Sequence, residues 1–260
     1  MKTRLLYAVA LLACTLALIP PLWALYVSLS VQGDGTTLIG FDHYREVLSQ
    51  PQFWLSLWNS FAAAGLSTLV SILLGAMAAY GMTRFEGDYD GLALLILAIR
   101  MIPSIVLVIP FYLLFRQAGL LDNVGGLAVT YLTFSLPFAI WMIRGFFAAI
   151  PYEIDEAAKL DGANSWVTLW RVILPIAAAP IMTTAVLIFC FCWNEFLFAL
   201  VLTGPTTATI PVALSGLQSQ NGVQIAEVSA GVVLGVAPLL IASRLIQRYL
   251  VSGLTFGAIK

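Results

Sequence analysis

Six long apolar stretches divided by short polar segments set the plan of this chain. They run over about 6–31, 56–82, 92–115, 126–143, 176–202 and 227–246, and each is near the roughly 20 residues that a helix needs to cross bilayer hydrocarbon. Arg100 interrupts the third, and Arg244 closes the last after a short run. No repeat period and no linker divides the chain. The expectation is an all-α, polytopic membrane protein with six transmembrane helices in a single domain over 1–260. Lys2 and Arg4 precede the first stretch in the manner of a secretory leader. The uncharged run from Leu5 to Gly33 far exceeds the about 7–15 apolar residues of a leader, so the segment is expected to stay as a helix.

Six spans put both termini on one side. If that side is the cytoplasm, the inner segments hold Lys2, Arg4, Arg84, Arg144, Lys159, Arg171, Arg244, Arg248 and Lys260, and the outer ones only Arg45 and Arg116. Nine against two follows the tendency of Lys and Arg to stay inside, so the expected location is the cytoplasmic (inner) membrane with cytoplasmic termini. Prolines recur in or beside the spans, at Pro20, Pro21, Pro103, Pro110, Pro137, Pro180 and Pro238. Each removes a backbone donor, giving either an ordinary kink or a hinge around a pathway.

Composition agrees with the pattern. The chain has 260 residues, is 61% hydrophobic and has a mean hydropathy of +0.97, far beyond a soluble domain of this size. A net charge of −1 without a basic patch gives no footprint for nucleic acid. Cys14, Cys190 and Cys192 lie inside apolar runs, and the single histidine, His43, has no cluster around it in sequence, so no metal site is expected.

Charge gathers in one place. Five of the twelve residues from Pro151 to Gly162 are charged, in a chain that is 10% charged overall. Pro151 suits a first helical turn, and Glu153, Asp155 and Glu156 suit the positive end of a helix. Asp155 and Lys159 are spaced to pair at i,i+4, and Gly162 can take the left-handed conformation that stops the helix. Asn164 or Ser165 can cap a second helix carrying Trp166, Val167, Leu169, Trp170 and Ile173, with Trp and Arg171 suited to the membrane surface. From the residues alone, this hairpin is either a docking element or a solvated loop without a partner.

The spacing Glu156-Ala157-Ala158, three residues, Gly162, nine residues, Val172, one residue, Leu174-Pro175 resembles the EAA loop of binding-protein-dependent ABC importer permeases. The family pattern has isoleucine where Val172 stands. The resemblance implies the type I ABC importer permease fold, with a cytoplasmic coupling loop over about 145–175. It also implies that the short helix docks on a separate ATPase, through Glu153, Glu156, Ala157, Ala158, Lys159, Asp161 and Gly162, with Leu174 and Pro175 behind it. Leu136-Pro137-Phe138-Ala139-Ile140-Trp141, Trp193-Asn194-Glu195-Phe196 and the tail from Gln247 to Lys260 resemble the carbohydrate-uptake, maltose-type branch and its smaller permease. Partners implied are a second homologous permease, two ABC ATPases that bind ATP and Mg, an external binding protein and membrane lipid; this chain itself needs no cofactor.

Trp193, Asn194 and Glu195 are candidates for the solute path, because an ionisable residue within a span usually faces protein or water. An interhelix hydrogen bond or an outward-snorkelling carboxylate explains Glu195 equally well. None of the three lysines follows a glycine, so the phosphate-cradling Gly-Lys loop of ATPases is absent and the chain is not expected to be an enzyme. A secondary transporter or channel, a membrane enzyme, and a permease for another solute such as a glycerol phosphodiester are the competing expectations.

Overall fold

In the computed structural model, residues 2–33, 36–85, 87, 89–217 and 225–256 are described. The ends Met1 and Gly257–Lys260, and part of the outer loop expected over 203–226, lie outside them. Every one of the six apolar stretches is helical. The elements are α1 (Lys2–Leu29), a hairpin of β1 (Ser30–Gly33) and β2 (Thr36–Ile39), α2 (Asp42–Ser49), α3 (Pro51–Arg84), α4 (Asp90–Ile99), α5 (Ser104–Ala118), α6 (Val124–Ala148), α7 (Glu153–Leu160), α8 (Ser165–Ile176), α9 (Ala178–Trp193), α10 (Leu197–Leu202), α11 (Ile210–Gly216) and α12 (Ile225–Phe256). The antiparallel hairpin, with Ser30 opposite Ile39, is an addition to the all-α expectation.

Three helices are long and apolar enough to span by themselves: Leu6–Leu29, Pro51–Arg84 and Val124–Ala148. Two expected spans differ from single rods. The stretch 92–115 is α4 and α5, bent by 78° between Ile99 and Ser104. Pro103 explains the break: it sits in an extended conformation at φ −59, ψ 132, and its ring disfavours helix at the preceding Ile102. The guanidinium of Arg100, at the end of α4, lies 4.3 Å from the Phe138 ring centre and 4.7 Å from that of Phe191, an arrangement that lets aromatic faces offset a charge at membrane depth. The stretch 176–202 is α9 and α10, divided at 194–196. At its start α8 and α9 meet at 82°, next to Pro175 and Pro180, neither of which can donate to the preceding turn. A five-residue π-helical segment, Leu169–Ile173, lies just upstream. By contrast, α1, α5, α6 and α12 run unbroken through their internal prolines.

The described chain forms two compact units. In the first, Met1–Leu57 with Ile210–Pro238, buried Val47, Phe53, Ile210, Leu214 and Ala230 make the core. Here α1 leaves its apolar side chains outside the unit, the surface expected where lipid is the solvent. In the second, Trp58–Thr209 with Leu239–Lys260, Tyr131, Phe147, Phe198, Leu127, Ile143, Ile173 and Ile188 are fully buried.

A seam of small residues joins α3 to α6 in this second unit. Ser67, Ser71 and Gly75 follow one another every fourth residue and share a face of α3. Ser67 donates to the Ala128 carbonyl at 2.9 Å, and the Ser71 and Ser135 hydroxyls bond at 2.7 Å. A Cβ on Gly75 would stand 2.7 Å from that of Ala139. Membrane helices associate by such close backbone approach and short polar contacts, because lipid removes the hydrophobic drive between them.

Candidate functional site

The charged island folds as a helical hairpin. From Pro151 the chain turns into α7, with Glu153, Asp155 and Glu156 in the first turn and Lys159 in the last, the charge order that suits the helix dipole. Gly162 stops it at φ +85. The Gly162 N–H donates to the Lys159 carbonyl at 3.0 Å and the Ala163 N–H to that of Ala158 at 2.9 Å, which is a Schellman closure. Two residues later the Asn164 side chain accepts the Val167 N–H at 2.9 Å, so Asn164, rather than Ser165, caps α8.

Sidedness of α7 separates the docking candidates. Glu153, Glu156, Ala157, Lys159, Asp161 and Gly162 are exposed. Leu160, at the tip, is 89% exposed. Sequence reading passed over Leu160, a large apolar side chain left uncovered at the end of a charged helix. Ala158 faces inward at 8% exposure, so of the two adjacent alanines Ala157 is the open one. Leu174 is half-buried and Pro175 exposed, in the last turn of α8.

Asp155 corrects a second expectation. It does not pair with Lys159 on an exposed face; it is 1% exposed. One carboxylate oxygen accepts the Tyr80 hydroxyl at 2.9 Å, and the other faces Arg84 Nε at 2.8 Å, an ion pair without linear hydrogen-bond alignment. Arg84 Nη2 also donates to the Ile150 carbonyl at 3.0 Å. Lys159 instead reaches the Tyr152 hydroxyl at 3.4 Å. Removing one partner of such a buried pair costs about 3–5 kcal/mol, because the other charge is left uncompensated. The signal in the sequence was the Tyr80/Arg84 pair, on one helix face at the C-terminal end of α3.

Gly162→Val is expected to lower the yield of assembled complex. A β-branched residue in the left-handed region costs upward of about 1–2 kcal/mol, and the hairpin turn depends on it. Unchanged yield in size-exclusion chromatography of the tagged complex would argue that the turn is dispensable.

The solute-path candidates are placed differently from one another. Trp193 is buried, with its ring 5.5 Å from that of Phe189. Asn194 is exposed, and its amide donates to the Cys190 carbonyl at 2.8 Å. Glu195 accepts the N–H groups of Leu197, Phe198 and Ala199 at 3.0–3.2 Å. The break between α9 and α10 leaves these donors without helical partners, and the carboxylate supplies the acceptors that lipid cannot. This local cap is a role that neither sequence reading of Glu195 included. Nearby, Asp122 at φ +55 accepts from Gly204 N at 2.8 Å and from the Thr207 hydroxyl, while Asn59 Nδ2 donates to the Thr206 and Ala208 carbonyls at 3.0 and 3.1 Å. These bonds fix the segment that follows α10. In the first unit, folding brings Glu46 and Glu227 to His43, with one ligand-type atom from each within 4.8 Å of the others, a grouping that sequence distance concealed.

Comparison with known proteins places these features in context. Residues 71–256 match the family described as "Binding-protein-dependent transport system inner membrane component". The chain is 39% identical over 256 residues, 94% of its length and 93% of the relative's, to the trehalose transport system permease protein SugB of Mycobacterium tuberculosis. It is 34% identical over 273 aligned positions, 100% of this chain and 98% of the relative, to the trehalose/maltose transport system permease protein MalG of Thermococcus litoralis. Among solved structures, a chain of a bacterial ABC transporter involved in import of the acidic polysaccharide alginate superposes with a TM-score of 0.75 at 25% identity, covering 94% of this chain and 95% of that one.

Proposed function

The chain belongs to the family of binding-protein-dependent transport system inner membrane components, and we propose that it is the smaller permease subunit of an ATP-driven importer for a sugar. The sugar class is supported by relatives named for trehalose and maltose transport. The observation that carries the reading is the exposed acidic face of α7, closed by Gly162 and tipped by Leu160.

In this reading the solute passes between this chain and a second, homologous permease. An external binding protein delivers it to the outer segments, about 32–55 and 203–226. Two ABC ATPases bind ATP and Mg on the inner side, where both termini of this chain lie. α7 sits in a groove on one ATPase through Glu153, Glu156, Ala157, Lys159, Leu160 and Asp161. Phosphoryl transfer belongs to the ATPases; this chain converts their closure into a rearrangement of its spans. Such conversion requires that the contacts differ between the two states.

The test is reconstitution in proteoliposomes with radiolabelled trehalose as the first probe and maltose as the second. Uptake is expected only when ATP, both permeases, the ATPases and the binding protein are all present. Purification of the chain without an ATPase, with uptake persisting in the absence of ATP, would contradict the proposal and favour a secondary transporter.

A further inference from the structure

We infer that Asp155, Arg84 and Tyr80 form the joint that makes α7 and the inner end of α3 move as one body, an inference that rests on the docking role proposed above for α7. The geometry points to a joint rather than an incidental contact. Asp155 is the one acidic residue of α7 turned away from water, while Glu153 and Glu156 beside it are exposed. Its two oxygens are engaged by two side chains of α3, Tyr80 at 2.9 Å and Arg84 at 2.8 Å. Arg84 simultaneously holds the backbone entering α7 at Ile150, and its guanidinium carbon lies 5.8 Å from the Tyr152 ring centre. Thus both the helix and the turn that launches it are tied to the last turn of α3.

The chemistry decides what kind of tie this is. Apolar contacts alone are non-directional and permit two helices to slide. A buried carboxylate tolerates neither separation from its cation nor rotation away from its donors, since each exposes an unpaired polar group. An eight-residue helix held in this way has one orientation on its support. The support is long: α3 runs over 34 residues, and the Ser67, Ser71 and Gly75 seam fastens it to α6. A push on the exposed face of α7 is therefore passed through Asp155 to α3 and through the seam to α6, a contiguous chain of packed groups rather than a loose tether. Asp155, Arg84 and Tyr80 are positioning residues in this account; they touch neither solute nor nucleotide.

The experiment is pulsed electron spin resonance on the assembled transporter in lipid nanodiscs. Spin labels are placed at Ala157→Cys on α7 and Leu74→Cys on α3, after replacement of the three natural cysteines. Distances are recorded without nucleotide and after trapping with Mg-ATP and vanadate. The joint predicts one narrow distance, unchanged between the two states. Asp155→Asn, and the apolar double variant Arg84→Met with Asp155→Leu, are expected to broaden it in the trapped state. The double variant separates a joint from mere stabilisation, because it removes both charges and leaves none uncompensated. A double variant that assembles and keeps the wild-type distance through the cycle overturns the inference, as does a wild-type distance that changes with nucleotide. If the charge variants do not assemble, Tyr80→Phe carries the test: a broadened trapped-state distance supports the joint, and an unaltered one overturns it. Crosslinking of Ala157→Cys to an ATPase reports separately on docking, so failure of the docking role and failure of the joint give different results.

Discussion

Glu156→Lys is expected to abolish ATP-driven uptake while leaving the protein inserted in the membrane. Glu156 is exposed in the first turn of α7, so its replacement disturbs neither the core nor the Asp155 joint. Reversing a charge at a docked surface costs about 3 kcal/mol or more when the partner's groups are left facing the wrong sign, and a lost coupling energy of that order corresponds to upward of about a hundredfold in the coupled process. Uptake should fall by at least that factor, and ATP hydrolysis should no longer respond to the loaded binding protein. Expression and detergent-extracted yield should stay near wild type. Normal uptake in this variant would reject the docking assignment.

The second large effect is structural. Gly75→Leu is expected to leave no assembled permease, because a Cβ at this position already stands 2.7 Å from Ala139 Cβ and 3.3 Å from backbone atoms of Ala139 and Ile140. Overpacking a tight contact costs about 1–3 kcal/mol when neighbours can shift, and here two of the three nearest atoms are backbone. The helices must separate, which also breaks the Ser71–Ser135 and Ser67–Ala128 bonds that close the seam. Fluorescence-detected size-exclusion chromatography should show the monodisperse peak lost. Gly75→Ala should be milder, and Gly75→Ala combined with Ala139→Gly should recover the peak by restoring the space. A full-sized peak from Gly75→Leu would show that the close crossing is not needed.

The contrast between these two positions explains what could be read from the sequence. Glu156 belongs to a local pattern: charge density, the dipole order of the first and last turns, the left-handed Gly162 and the capping Asn164 all act within a dozen residues. Apolar runs of membrane length are equally local, and each is helical in the structure, two of them as broken pairs. Features made by distant residues were hidden. Tyr80 and Asp155 are 75 positions apart, and no periodicity announces that an acidic residue in a charged island will be the buried one. Asp155 and Ala158 share a face, which in retrospect marks the inward side of α7. Glu195 was visible as an ionisable residue in a span, yet its cap appears only once the chain breaks between α9 and α10. The breaks themselves were half-legible. Pro103 interrupts its span and Pro175 stands beside the bend at the start of another, while Pro110, Pro137 and Pro238 lie inside unbroken helices, because neighbouring groups decide whether the freed carbonyl is satisfied in place. The hairpin of β1 and β2 was hidden because β1 directly follows a membrane-length apolar run.

The claim at the centre of this account is that α7 faces the cytoplasm and seats on a separate nucleotide-binding subunit. Site-specific crosslinking from Ala157→Cys and Leu160→Cys, in a background with the natural cysteines replaced, tests it most directly. The account predicts a crosslinked product with an ATPase subunit and protection of both thiols from a membrane-impermeant maleimide added outside the cell. Labelling of these positions from the outside, or crosslinks that never reach a nucleotide-binding subunit, would contradict it.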